Sequence, residues 1–184
     1  MSRPLPPADH SGLVVLLPEL DPVVGQWRSR FDAVVTGVLA HVSVLVPWIA
    51  PGEITEADLD AVGQLAKSWD PIEVSFTRFE IFDSASGPSV HWLAPEPAEP
   101  FLGLTDDFGT CWPEYPPYGG VFGPEPVPHL TVSSTGTDAE LQPMFAAVRA
   151  RLPVSTIATE LAVLQVIDGQ CQTRRSFRLG GKRR

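Results

Sequence analysis

The chain has 184 residues, 43% of them hydrophobic and 19% charged, and a formal net charge of −9. This is enough apolar material for a real core, in one large domain or two closely packed lobes, and it excludes disorder throughout. The acidic balance excludes non-specific binding of duplex DNA, which needs a broad basic surface, while a small nucleotide or a single RNA terminus needs only local donors.

Residues 1–11 are Pro-rich and polar and are expected to form a disordered tail that includes His10; residues 12–184 then make a single domain. Gly12 to Leu17 is a short apolar run stopped by Pro18, the pattern of a buried strand. Leu13 to Leu17 is too short to span a membrane or form a signal core, so a cytoplasmic protein that does not engage a membrane is expected. A short helix is predicted over 22–32, with Trp27 and Phe31 at helical spacing, and a second strand over His41–Val46. Thr55 and Asp58 have the spacing of a helix N-cap and its carboxylate partner. Leu59, Val62, Ala66 and Trp69 then recur on one face, and Pro71 ends the segment. Residues 72–82 and 89–94 read as a hairpin around Gly87. The stretch 95–128 holds many of the 20 prolines and reads as irregular. Cys111 and Cys171 match no metal or redox spacing and are read as reduced thiols. Lys182-Arg183-Arg184 reads as a solvated tail end.

The second half repeats the first. An offset of 82 residues aligns Thr55 with Thr137, Leu59 with Leu141, Pro71 with Pro153, Thr77 with Thr159 and Gly87 with Gly169. Leu141, Met144, Phe145, Val148 and Leu152 supply the second apolar face. This spacing predicts an internally duplicated strand–helix–hairpin unit, the second motif half lying at about 121–180. Ahead of each capped helix stands a matching strand: His41-Val42-Ser43-Val44, and His129-Leu130-Thr131-Val132. Side chains alternate along a strand, so His41 shares a face with Ser43 and His129 with Thr131, while the aliphatic residues face the core. A lone strand histidine is usually structural. Two of the four histidines sharing this pattern by accident has odds of roughly a few in a thousand under average composition.

Two imidazoles and two hydroxyls about a pseudo-twofold suit the cleavage of a phosphodiester. One group must take a proton from the nucleophile and another must give one to the leaving oxygen. Imidazole titrates near neutrality, so the two rings can hold opposite protonation states at once. Ser43 and Thr131 can donate to non-bridging phosphate oxygens. The chain shows no HExxH and no carboxylate cluster at ligand spacing, so neither a metal nor another cofactor is expected.

The paired H-x-[ST]-x motifs, one per half, resemble those of the two-histidine (2H) phosphoesterase superfamily, the group containing bacterial 2′-5′ RNA ligase-like proteins. The likeness extends over about residues 12–180 and includes Val90-His91-Trp92-Leu93-Ala94-Pro95 and Trp112–Gly120. The resemblance implies an α+β, duplicated, bilobal fold with two antiparallel sheets and flanking helices around a central groove. It implies metal-independent cleavage of 2′,3′-cyclic phosphates on nucleotides or RNA ends, and in some members reversible 2′-5′ RNA joining. By that motif, His41 and His129 are the acid/base pair and Ser43 and Thr131 bind phosphate. By analogy, His41 protonates the leaving 3′ oxygen and His129 activates water, although the residues alone leave the two roles interchangeable. Ser43 stands where threonine is commoner; the hydroxyl is kept and a β-branched rotamer constraint is lost. Trp48 reads either as a base-stacking platform or as core, Arg78 either as a phosphate contact or as a surface residue, and Tyr115, Tyr118 and Phe122 either as a groove lid or as loop anchors. His91, lacking the hydroxyl two residues on, reads as structural. The expected partner is a nucleotide or RNA terminus and the expected state a monomer. The rival to the enzyme is a binding module that holds the same ligand in the same groove without turnover.

Overall fold

A computed structural model describes residues 9–32, 38–84, 89–121, 123 and 126–180. Gly87, Phe122 and Lys182–Arg184 lie outside the described residues. The apolar run near the N-terminus forms β1 (His10–Leu16), with Leu13 and Val15 in the main core and Val14 and Leu16 in a second apolar cluster on the opposite face. A strand covered on both faces needs no polar alternation. After α1 (Asp21–Phe31) comes β2 (His41–Leu45), where Val42 and Val44 are buried while His41 and Ser43 are half-buried.

α2 (Glu56–Ser68) and α4 (Asp138–Arg149) both start with the anticipated capping box. Thr55 Oγ1 accepts from the Asp58 amide at 3.2 Å, and the Asp58 carboxylate accepts from the Thr55 amide at 2.9 Å. Thr137 and Glu140 repeat this at 3.4 and 2.9 Å. Each cap satisfies amides that would otherwise lack an intrahelical partner, a contribution of about 1 kcal/mol. Leu59, Val62 and Ala66, and in the other half Leu141, Met144 and Val148, are turned into the core.

The remaining strands are β3 (Ile72–Phe82), β4 (Val90–Glu96), β5 (Leu130–Ser133), β6 (Val154–Ala158), β7 (Glu160–Ile167) and β8 (Gln170–Arg178). They form two four-stranded antiparallel sheets, ordered β2-β1-β7-β8 and β5-β4-β3-β6. With the four helices this is the expected α+β duplicated architecture. One apolar cluster joins the sheets, with Leu161 and Val163 from the first and Phe76, Leu93 and Leu130 from the second. Among the described residues no helix is long and apolar enough to cross a membrane.

Two expectations need correction. The Pro-rich stretch is not irregular throughout, because α3 (Glu99–Cys111) occupies its first part. Pro100 falls in the first helical turn, where a missing amide costs nothing, and Phe101, Leu104 and Phe108 supply a buried face. The order β4-α3-β5-α4 therefore matches β1-α1-β2-α2, and the repeat begins one strand and one helix earlier than the capped helices suggest. Each half then passes its next long strand to the other half's sheet, so that β3 lies beside β4 and β7 beside β1. The second correction concerns His10 and Ser11, which belong to β1 and not to a tail. Ser11 Oγ donates to the Ile49 carbonyl at 2.5 Å, and the Trp48 amide donates to the Ser11 carbonyl at 2.9 Å.

His91, on β4, is buried against Phe145, with its Nδ1 3.0 Å from Ser133 Oγ. Burial pushes its pKa below the ordinary value, opposed by the charges of Asp138 and Asp83. The unfolded chain therefore takes up this proton first, at about pH 6.5, and the native state loses stability as the pH falls through that value. His91→Gln is expected to flatten the decline in melting temperature between pH 7 and pH 5.5. An unchanged slope in that variant would show that His91 titrates alike in both states.

Candidate active site

Both motif strands are edges: β2 ends the first sheet and β5 ends the second. They contact one another where the sheets meet, without being paired in a ladder. Their core-facing residues Val42, Val44, Leu130 and Val132 are at most 2% exposed. The alternate residues His41, Ser43, His129 and Thr131 are half-buried, and all four line one cleft. The halves of the chain thus bring both H-x-[ST]-x motifs to one place.

The two rings are anchored alike. His41 Nδ1 lies 2.8 Å from the Leu39 carbonyl, and His129 Nδ1 lies 2.7 Å from the Val127 carbonyl. A carbonyl only accepts, so each Nδ1 carries the proton and donates it two residues back along the chain. That fixes the tautomer in which Nε2 holds the lone pair, and it restrains the ring's rotation. Beyond this the surroundings differ. The His129 ring is walled by Phe82 at 5.1 Å and Trp92 at 5.8 Å, both edge-on, and by Tyr118 stacked at 5.9 Å. The His41 ring has Arg28 for a neighbour, Nη2 standing 3.5 Å from Nδ1. Both of those atoms are donors, so that contact is electrostatic and the Leu39 carbonyl decides the tautomer.

Arg28 escaped the sequence reading, although a signal was present. It lies on the inward face of α1 with Val24 and Phe31, four residues before Asp32. A charged residue at a core position is the mark of a buried polar job. Its side chain is 5% exposed; Nη1 donates to the Thr131 carbonyl and Nη2 pairs with Asp32 at 3.6 Å. Burial draws the guanidinium pKa down, while Asp32 and Asp21 raise it, and an arginine so placed stays charged. Asp32 and His10 also line the cleft.

Of the weaker candidates, Tyr118 lines the cleft. Its amide donates to the Val46 carbonyl at 2.8 Å, which ties the loop before β5 to the first half of the chain. Its φ of 53° is a conformation uncommon outside glycine, held by that bond and by the stacking on His129. Trp48 is 3% exposed and packs edge-on against Trp112 at 5.3 Å, so it is a core residue and not a base platform. Arg78 lies away from the cleft, on the surface of β3, paired with Glu96 and with Glu80 at 2.7 Å. Tyr115 packs on the main core and is not among the cleft residues. Phe122 lies outside the described residues. Among the described residues no three His, Cys, Asp or Glu side chains are grouped to hold a metal ion.

A family model described as the 2′-5′ RNA ligase superfamily matches residues 16–170. The chain belongs to that superfamily. No curated protein sequence matches it significantly. Among solved structures, TT0787 of Thermus thermophilus is similar at a TM-score of 0.62 and 18% identity, covering 94% of this chain and 99% of that one. E. coli LigT, solved in complex with 3′-AMP, is similar at a TM-score of 0.51 and 14% identity, covering 95% of this chain and all of that one (100%). At these identities the two structures show the fold alone.

The anchored rings give a direct expectation. Two-dimensional ¹⁵N–¹H spectra at pH 8 should show both His41 and His129 as the Nδ1–H tautomer. An Nε2–H signal from either ring would mean that its carbonyl contact does not hold in solution.

Proposed function

We propose that the protein is a metal-independent phosphodiesterase that opens 2′,3′-cyclic phosphates of nucleotides or RNA ends, His41 and His129 acting as the acid/base pair. The observation that carries this reading is the meeting of two identically anchored imidazoles, one on the edge strand β2 and one immediately before the edge strand β5, in one cleft with two hydroxyls. Binding a phosphate does not require two groups that titrate near neutrality; transferring two protons at phosphorus does. Membership of the 2′-5′ RNA ligase superfamily supports the substrate class, as does the nucleoside monophosphate bound by E. coli LigT.

One histidine takes a proton from water at its Nε2 as the oxygen attacks phosphorus. The other gives its Nε2 proton to the departing ribose oxygen. The bond from phosphorus to that oxygen breaks, and a phosphomonoester is left. Charge builds on the non-bridging oxygens during the step, and the Ser43 and Thr131 hydroxyls donate to them. Joining of 2′-5′ ends is the same step with the 5′-hydroxyl of a second RNA end in the place of water: it attacks phosphorus, the bond to the departing ribose oxygen breaks, and a phosphodiester is left instead of a phosphomonoester.

His41→Ala and His129→Ala should each lower kcat on a 2′,3′-cyclic nucleotide by about 10²–10⁴-fold, the usual weight of one acid or base role. Circular dichroism should show each variant folded. Near-native turnover in either variant removes that histidine from the mechanism, and binding by the wild type without product favours the binding-module reading. In the wild type, kcat/KM should rise and fall across pH 5–9, since one ring must be charged and the other neutral, and EDTA should leave it unchanged.

A further inference from the structure

We infer that Arg28 is the positioning residue of the histidine pair, a buried guanidinium set into the seam between β2 and β5 that fixes how the two motif strands stand across the cleft. The inference rests on the phosphodiesterase reading for its kinetic consequence and on geometry alone for its structural one.

A guanidinium 5% exposed to solvent is unusual and has to be explained. Stability does not explain it, because exchanging a buried ion pair for well-packed apolar groups is often neutral or favourable. Its contacts do. Nη1 donates to the main-chain carbonyl of Thr131, on β5. β5 is an edge, so a carbonyl on its outer side has no strand to bond with and needs another donor. Nη2 lies 3.6 Å from Asp32, the residue that closes its own helix, and 3.5 Å from His41 Nδ1 on β2. One planar group thus touches the main chain of the hydroxyl residue of one motif and the ring of the other. The charged and titratable groups around it are Asp21 on α1, Asp32 just after α1, and His41 on β2.

The helix carrying Arg28 is itself pinned to the second motif. The Phe31 carbonyl, at the end of α1, accepts from the amides of Ser134 and Thr135 at 2.8 and 2.9 Å. Thr135 Oγ1 donates to the same carbonyl at 2.8 Å, and Ser134 Oγ donates to Asp32 at 3.1 Å. These bonds join residues more than 100 positions apart, across the two halves of the chain. α1 therefore moves with β5, and Arg28 reaches from that unit to the His41 ring on the other sheet. The breadth of the fork matters as much as the charge: Nη1 donates to the Thr131 carbonyl on β5 while Nη2 stands between Asp32 and the His41 ring, a span that a single ammonium cannot cover.

The test compares wild type with Arg28→Met, which fills the same space without donors, and Arg28→Lys, which keeps the charge and loses the fork. Turnover of adenosine and uridine 2′,3′-cyclic phosphate is measured, together with thermal unfolding and ¹⁵N spectra of the histidine rings. Arg28→Met should fold and lose about 10²-fold in kcat, the scale of a misplacement near 1 Å, with KM changed by less than about tenfold. Arg28→Lys should recover only part of that loss. In both variants the His41 spectrum should depart from wild type while the His91 spectrum does not. Should Arg28→Met fail to fold, Arg28→Lys decides: wild-type kcat with wild-type His41 signals overturns the inference. A folded Arg28→Met with kcat within about threefold of wild type, or a change in melting temperature alone, overturns it too. Absence of turnover in the wild type would count against the phosphodiesterase reading and not against this one, since the His41 signals of Arg28→Lys still decide it.

Discussion

The structure turns on keeping two sheet edges close together and unpaired. β2 and β5 each end a four-stranded antiparallel sheet, and each carries a row of main-chain donors and acceptors on its outer side. Two such edges in contact would ordinarily extend into one continuous sheet. Had they done so, the side chains between them would have no gap in which to receive a ligand. The half-buried faces of His41, Ser43, His129 and Thr131 exist because the edges meet at a cleft. Arg28, taking the Thr131 carbonyl for itself, is one of the devices that keeps them so.

The exchange of strands between the halves makes that seam rigid. With β7 beside β1 and β3 beside β4, each sheet is built from both halves of the chain, and neither can swing without disturbing the other. The apolar cluster runs through both sheets and under all four helices. Smaller ties reinforce it at the site: Tyr118 to Val46 over the top, and Phe31 and Asp32 to Ser134 and Thr135 at the side. Gly12 contributes by absence, since a Cβ there would come within 2.5 Å of Val46 Cγ2 where the chain crosses the floor of the cleft. A site built this way from rigid elements holds its groups in place before the ligand arrives, which is what acid/base catalysis demands.

Local signals carried most of the fold. The capping boxes at Thr55 and Thr137 were legible because they are spaced by backbone geometry alone. The motif strands were legible because one face of each is aliphatic and the other is not. α3 was hidden by its flanking prolines, which disfavour a helix everywhere except its first turn, where Pro100 sits. His10 was hidden by its polar neighbours, since the bonds that order β1 there come from Val166 and Trp48, far along the chain. At the site, the imidazoles and hydroxyls could be read from spacing. Arg28 could not be assigned a role from α1 alone, as its partners Thr131 and His41 belong to other elements. Trp48 and Arg78 show the converse: residue type suggested a ligand, and burial in one case and exposed carboxylates in the other gave them different work.

A crystal structure with a nucleoside 2′-phosphate bound is the most direct measurement. The phosphorus should lie between the two Nε2 atoms, each within hydrogen-bond reach of a phosphate oxygen, with Ser43 and Thr131 on the remaining oxygens. A phosphate seated elsewhere, or touching one ring while the other stands beyond reach, would contradict the shared use of the two histidines.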